Sequence, residues 1–388
     1  MISDINLEKF PFGVNILGSL RSEKGLGRAV RSDVYSLKAV NIPIALNDSA
    51  DSSAVNTGKL DEPLSESNPF IFNLIHINPN TNATFNASDV NFYEYLSDYT
   101  NYMNGHYNIG YWIWELDRIP EHWINLSNRL DEVWTASDFS FQSLSRDLSV
   151  PVFKIPHSIV LSENSFDKVV SRRDLNLSND IYVFLFIFDS GSYIERKNPL
   201  AVVKSFKKAF SPADKALLYI KTAHTDFNKQ KFYELVNAVR GHNIIVSDSV
   251  LTDDQTYSLI SLSDCYVSLH KSEGFGLTLA EAMALGKPVI ATGYSGNMDF
   301  MNKGNSFPVD YRLVKISEDY GVYKKGNVWA EPDVNHAAEL MRHVFENREE
   351  AKGVGEKGGE YIKSFYGSAF VGEIYKKRLN DIMGRFER

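Results

Sequence analysis

Two glutamates eight residues apart, Glu273 and Glu281, bracket a glycine-rich turn in the segment SLHKSEGFGLTLAEAMALGKPVIATGYSGN, which runs from Ser268 to Asn297. A strand-like run leads into the turn and an amphipathic run leads out of it, so the spacing predicts a helix starting near Leu277. The N–H groups of Gly276, Leu277 and Thr278 then stand free at the positive end of that helix, a site that suits a diphosphate. Gly274 and Gly276, on either side of Phe275, let a ligand approach the backbone. Thr278 and Glu281 are three apart and share one face, from which Glu281 can accept bonds from ribose hydroxyls. Leu279, Ala282 and Met283 turn to the core, and Gly286 followed by Pro288 ends the helix. The plain structural alternative is a solvated helix glutamate behind a tight strand-to-helix turn.

Other residue pairs invite the same double reading. Arg196 and Lys197, in IERKNP, are expected at the start of the first helix of the second half, either as cations for a diphosphate or as a solvent-facing basic pair. Gly25 and Gly27, in EKGLGRAV, follow the strand-like GVNILG and precede a helix expected near Arg28. His76 and Asn78 in LIHINPN and Glu115 in YWIWEL fall near strand ends, where a sugar or an acceptor can be bound. For His76 the competing reading is a buried, satisfied core histidine. His157 in IPHSIV is a further candidate, whereas Trp112 and Trp114 read as packing rather than sugar stacking.

The elements that must hold these residues repeat in a simple order. From Ile181 onward, IYVFLFIF, ALLYIKTA, NIIVSDSV, CYVSLH, PVIAT and SFPVDY alternate with helical runs such as PLAVVKSFKKAF, KFYELVNAV, QTYSLISLS and LTLAEAMAL. That alternation predicts a parallel sheet covered by helices on both faces. The first half repeats it with GVNILG, PIALN, FIFNLIHI, NIGYWIW, DEVWTA and PVFKIPH as strands, separated by helices such as VRSDVYSLKAV, NFYEYLSDY and FSFQSLSRDL. Two doubly wound α/β domains follow, which bind ligands beyond the carboxyl ends of their strands. The polar stretch from Leu161 to Asp180 reads as a linker with one short helix, placing the boundary near residue 170, with domains at 1–170 and 171–388. A helical tail over about 346–388, broken by the glycine-rich VGEKGGEY, is expected to cross back to the first domain.

Composition narrows the class. The chain has 388 residues, 43% of them hydrophobic and 23% charged, and a single cysteine, Cys265, which excludes an internal disulfide. No apolar run reaches the roughly 20 residues of a membrane span, and the opening MISDINLEKF lacks the pattern of a signal peptide, so a cytoplasmic protein is expected. The net charge of −8 lies in the first half, where residues 1–175 carry 14 Lys and Arg against 22 Asp and Glu. An acidic half argues against a nucleic-acid partner and allows at most a loose association with a membrane.

The segment from Ser268 to Asn297 resembles the donor-site signature of glycosyltransferase family 4. The likeness extends through DEVWTASDFSFQSL, VFKIPHSIV, SYIERKNPLAVVKSF and VDYRL, over roughly residues 105–345, and is similar to the branch that builds bacterial surface polysaccharides such as lipopolysaccharide. The resemblance implies a GT-B fold, with two Rossmann-like domains facing each other across a cleft, and a retaining transfer of a hexose from a nucleotide diphosphate sugar. GDP-mannose is the first choice of donor and a UDP-sugar the second. The acceptor implied is a hydroxyl of a glycan or lipid-linked oligosaccharide, which the first domain binds. By residue, the resemblance puts Glu273 on the sugar hydroxyls, Glu281 on the ribose, and Lys197, with Arg196, on the diphosphate. The Gly25–Gly27 loop falls to the donor phosphates, and His76 or Asn78 to the transferring sugar. The chain departs from the pattern after the strand from Ile181, where many relatives carry a Gly-Arg pair and this chain has Phe188 and Asp189. No Asp-x-Asp triplet occurs, so no metal and no cofactor are expected. The alternatives are a sugar nucleotide epimerase of the same fold and a catalytically silent nucleotide-sugar-binding partner subunit.

Overall fold

The computed structural model describes residues 5–51, 54–85, 88–161, 170–175 and 177–386. Much of the linker expected to hold a short helix, residues 162–169 and 176, lies outside the described residues. The chain divides into two units, one of residues 1–160, 321–323 and 365–388, the other of residues 161–320 and 324–364.

The first unit is built on β1 (Val14–Gly18), α1 (Gly25–Ala39), β2 (Ile44–Asp48), β3 (Phe72–His76), the β4–β5 hairpin (Asn82–Phe85, Ser88–Asn91) and α2 (Phe92–Tyr99). It continues through β6 (Tyr107–Tyr111), α3 (Glu121–Ser127), β7 (Glu132–Thr135), α4 (Asp138–Asp147) and β8 (Val152–Lys154). Its six parallel strands lie in the order β2-β1-β3-β6-β7-β8. Every residue of β1, β3 and β6 is buried, as a sheet covered on both faces requires. Helix α1 begins at Gly25, three residues before the expected start, with Lys24 at its N-cap. The glycine pair is therefore the first turn of the helix rather than a loop ahead of it. A Cβ on Gly27 would lie 2.0 Å from the Ser22 carbonyl oxygen, so the turn needs glycine there, whereas Gly25 has open space.

The second unit contains β9 (Tyr182–Ile187), the one-turn α5 (Ile194–Lys197), α6 (Pro199–Ala209), β10 (Ala216–Thr222), α7 (Lys229–Ala238), β11 (Ile244–Asp248), α8 (Asp253–Leu262) and β12 (Cys265–Ser268). After these come α9 (Leu277–Ala284), β13 (Val289–Thr292), β14 (Phe307–Val309), the hairpin β15–β16 (Tyr311–Lys315, Val328–Pro332), α10 (Val334–Glu346) and α11 (Arg348–Phe365). Its parallel sheet runs β11-β10-β9-β12-β13-β14 over a core rich in phenylalanine: Phe184, Phe186, Phe206 and Phe210. Local chemistry sets the helix ends. Thr252 and Gln255 form a reciprocal capping box at α8. At the end of α9, Gly286 (φ 69°) donates to Met283 O at 2.8 Å and Lys287 to Ala282 O at 3.0 Å, the paired bonds of a Schellman stop.

The glycine-rich VGEKGGEY does not break the tail: α11 runs through it without interruption, and the break comes after Phe365. The glycines lie on the buried face of the helix, where they allow backbone-to-backbone approach. A Cβ on Gly355 would meet Gly286 O at 2.5 Å, and one on Gly358 would meet Asn305 O at 2.8 Å. The helix-propensity cost of glycine, about 1 kcal/mol each, is offset by contact that no larger residue permits.

The final helix, α12 (Ser368–Phe386), belongs to the first unit. Gly372 lies against α1, with room for no Cβ (2.3 Å to Ser36 O), and the Tyr375 hydroxyl donates to Asp33 Oδ1 at 2.8 Å. Arg378 reaches the fully buried Glu132, donating from Nε to Oε1 at 3.0 Å and from its terminal nitrogen to Oε2. Glu132 also accepts from Trp134 Nε1 (2.6 Å) and the Tyr107 hydroxyl (2.9 Å). Among the described residues no helix is long and apolar enough to cross a membrane.

Removing one partner of a buried ion pair leaves an uncompensated charge, so Arg378→Ala should destabilise the first unit by about 3 to 5 kcal/mol. Urea unfolding followed by tryptophan fluorescence checks this, because four of the five tryptophans, Trp112, Trp114, Trp123 and Trp134, belong to that unit. An unchanged midpoint would show that α12 is not held by this pair.

Candidate functional site

In the second unit the chain steps from β9 outward to β10 and β11, then returns to the other side of β9 to lay down β12, β13 and β14. Ligands bind open α/β sheets in the crevice at such a reversal, outside the carboxyl ends of the diverging strands. The segments leaving β9 and β12 carry Arg196, Lys197 and Glu273. From β9 comes α5, ended by Asn198 in the left-handed conformation (φ 54°, ψ 49°), which asparagine tolerates better than most residues. Arg196 and Lys197 thus close a separate one-turn helix rather than opening α6, as the sequence led us to expect. Asn198 Nδ2 donates to Leu269 O (3.0 Å) and the Lys271 N–H to Arg196 O (2.8 Å), which fastens this turn to the exit of β12.

That fastening brings Arg196, Lys197 and Glu273 together. Lys197 Nζ lies 2.5 Å from Glu273 Oε1, and Arg196 Nη1 lies 3.1 Å from Oε2 and donates to Ser272 O at 2.8 Å. The side chains are 18% exposed at Lys197, 12% at Glu273 and 4% at Arg196. Lys197 is therefore the cation nearer to solvent, and Arg196 is a buried brace behind the carboxylate. Burial pushes the Glu273 carboxyl upward, but the two cations outweigh it and hold the pKa at about 2.

The turn that follows delivers α9. Gly276 is its N-cap at φ 93°, ψ 52°, a conformation that favours glycine. The first bonds of the helix run from Leu279 and Ala280 to Gly276 O (3.0 and 3.1 Å), so the amides of Leu277 and Thr278 precede the first hydrogen-bonded turn. The Phe275 ring is 3% exposed and sits 5.2 Å from Phe300, so its side chain anchors the turn in the core. Glu281 is 2% exposed, with Oε1 3.5 Å from the Tyr257 hydroxyl on α8. It is no solvated helix glutamate.

Behind the turn lies a polar layer that the sequence reading passed over. Asn297 donates from Nδ2 to Thr292 O (3.0 Å), which turns Oδ1 toward His270 Nε2 at 3.1 Å. Burial pushes the His270 pKa down to about 4, so the ring is neutral, with its proton on Nε2 and with Nδ1 accepting from Ser268 Oγ at 3.1 Å. The Gly296 N–H donates to Glu273 O (2.9 Å), and a Cβ on Gly296 would lie 2.2 Å from Gly274 O. The Ser-Gly pair after the strand PVIAT was the available signal, as a turn dipeptide.

Of the candidates in the first unit, His76 and His157 are buried and Asn78 and Glu115 half-buried. His76 has a side chain 1% exposed, with Nδ1 2.5 Å from Asp33 Oδ2 and its ring stacked 4.2 Å from Tyr111. It is buried with Nδ1 engaged, while Nε2 has no hydrogen-bond partner among the described residues. Asn78 commits both ends of its amide to the Ile113 backbone, accepting at 2.9 Å and donating at 3.2 Å. Glu115 is half-buried on a loop pinned on either side by Ser140 to Trp114 O (2.6 Å) and Ser143 to Leu116 O (2.7 Å). His157 is buried beside Tyr111, and burial pushes its pKa well down. Trp112 and Trp114 are buried and pack edge-on against Trp123 at 5.5 and 5.0 Å. Among the described residues, no group of three or more His, Cys, Asp or Glu is placed to hold a metal ion.

Two parallel, doubly wound Rossmann-like units define the GT-B fold. Residues 171–361 match the family model described as glycosyl transferases group 1. Among sequence relatives, N-acetyl-alpha-D-glucosaminyl L-malate synthase of Bacillus anthracis is 31% identical over 108 residues, 27% of this chain and 26% of that protein. The chain spans about a quarter of the length of the curated relatives it matches, 22% and 26%. Among solved structures, sucrose-phosphate synthase of Thermosynechococcus elongatus superposes with a TM-score of 0.65 at 13% identity, over 96% of this chain and 100% of that one. Alr3699/HepE of Anabaena, in complex with UDP and glucose, gives 0.64 at 12% identity, over 95% and 100%. At these identities the solved neighbours speak for the fold.

Because Glu273 has a depressed pKa in the folded chain, its contribution to stability is present above its ordinary value near 4.5 and is lost as the pH falls towards about 2. Wild type should exceed Glu273→Gln in stability most at pH 7, with the gap narrowing steadily below pH 4.5. Urea titrations of both proteins at pH 7, 4 and 3 test this, and a pH-independent gap would contradict the ion cluster.

Proposed function

We propose that this chain is a retaining, metal-independent glycosyltransferase whose second unit binds a nucleoside diphosphate hexose. The observation that carries the proposal is the Lys197–Glu273–Arg196 cluster at the strand reversal, on the turn that leads into α9. On donor binding the Lys197 ammonium turns from Glu273 to the diphosphate, which the amides of Leu277 and Thr278 also meet at the positive end of the helix. Glu273, released from one of its cations and still braced by Arg196, takes the hexose hydroxyls and favours positive charge on the ring. Glu281 serves the ribose. The bond from the anomeric carbon to the phosphate oxygen breaks with its electron pair passing to the diphosphate. The acceptor oxygen attacks from the same face, and its proton passes to the departing phosphate oxygen, so no protein base is needed. Charge growing on the leaving group is stabilised by Lys197 and the helix end, in place of a divalent ion.

The match to group 1 glycosyl transferases over residues 171–361 supports this assignment. Solved neighbours in complex with UDP favour a UDP-hexose as the first donor to test, beside the GDP-mannose suggested by the family resemblance. A glycan or lipid-linked oligosaccharide of a surface polysaccharide is the proposed acceptor.

Calorimetric titration of UDP and GDP, with and without a strong chelator, tests the diphosphate site. Lys197→Ala should weaken diphosphate binding at least tenfold and leave free nucleoside binding unchanged, with wild-type affinity indifferent to the chelator. Binding lost to the chelator and restored by manganese would overturn the metal-independent reading.

Steady-state kinetics separates the two glutamates. A contact equal in ground and transition states changes affinity, while one that tightens as the sugar becomes cationic changes turnover. Glu281→Gln should mainly raise the donor KM. Glu273→Gln should lower kcat about ten- to a hundredfold, the equivalent of about 1.5 to 3 kcal/mol for a charged hydrogen-bond acceptor. A shared pattern in both variants would dissolve this division of roles.

A further inference from the structure

Ser295 stands at φ 76°, ψ −150°, a region of backbone space that belongs almost wholly to glycine. Its neighbour Gly296 does not relieve it, since that glycine answers a separate constraint, the close approach of the Gly274 carbonyl. The strained residue is 8% exposed, and its hydroxyl is fully engaged: Oγ accepts the Glu273 N–H at 2.8 Å and donates to Tyr294 O at 2.5 Å. One residue on, the Gly296 N–H donates to Glu273 O at 2.9 Å. Both backbone groups of Glu273 are thus held by consecutive residues of one strained turn. A glycine at position 295 would adopt the conformation without cost, but would leave the Glu273 amide unclamped.

We infer that Ser295 is a positioning residue, whose hydroxyl clamps the Glu273 backbone so that the carboxylate stays between Lys197 and Arg196. This deepens the proposed function and rests on its assignment of Glu273 to the transferring hexose. The strain is local to the turn, and the hydroxyl converts it into a fixed position for the carboxylate. A displacement of a few tenths of an ångström at the Glu273 peptide is carried to its side chain, and electrostatic stabilisation of a developing charge depends on such fixed placement.

The test uses Ser295→Ala, which removes the hydroxyl and keeps the strain, and Ser295→Gly, which removes both and so keeps the fold accessible. Hydrogen exchange on the full chain should show the amides of residues 271–276 exchanging at least tenfold faster in both variants, while regions remote from the turn are unchanged. With UDP-glucose or GDP-mannose as donor, both variants should lose five- to twentyfold in kcat with donor KM within twofold. In a Glu273→Gln background, Ser295→Gly should change kcat less than twofold, because the clamp then holds nothing that matters to turnover. An equal loss in both backgrounds, or wild-type kcat in both single variants, overturns the inference. If wild type turns over neither donor, the transferase reading fails, and unchanged exchange at residues 271–276 would overturn the clamp independently.

Discussion

A carboxylate enclosed by protein is stable only if its charge is answered, and the geometry of the second unit follows from how Glu273 is answered. Taking a charge out of water costs several kcal/mol, and attraction to a partner offsets this only when the partner is held in place. Arg196 and Lys197 can be held there because Asn198 takes the left-handed conformation and stops α5 after a single turn. Asn198 in turn is tied to Leu269, the residue that follows the β12 exit. The reversal of strand order between β9 and β12 sets these two exits side by side. Topology, an asparagine in a strained cap and three ionised groups thus form one chain of dependence.

The same cluster explains why a ligand should matter to it. Both cations are turned inward to Glu273, which answers the carboxylate and leaves the cluster one positive charge in excess. On the proposed function, a diphosphate would compete for the more exposed cation, Lys197, and leave Arg196 to hold the carboxylate. The two basic neighbours therefore differ in kind: one is accessible enough to be exchanged, the other is built into the wall.

Much of this architecture was legible because it is local. Runs such as Tyr182–Ile187 and Phe72–His76 carry their strand assignment in their composition, and the start and stop of α9 are written in Gly276 and Gly286. What was not legible depends on neighbours distant in the sequence. The glycines of α11 look like helix breakers until the backbone of Gly286 and Asn305 is placed against them. That His76 is enclosed, with Asp33 on its Nδ1 and Tyr111 stacked on its ring, appears only once residues far apart in sequence are brought together. Arg196 and Lys197 are indistinguishable as a basic pair, and only burial separates them. The hairpins β4–β5 and β15–β16 escaped because neither extends the parallel sheets whose alternation guided the reading.

The discontinuity of the first unit bears on how the chain is made. Residues 368–386 complete that unit, yet they emerge during synthesis only after the whole of the second unit. Arg378, the cation paired with Glu132, and Tyr375, the donor to Asp33, both lie in that last helix. The part of the protein translated first can therefore be completed only last, whereas the ion cluster of the second unit lies wholly within residues that precede that helix.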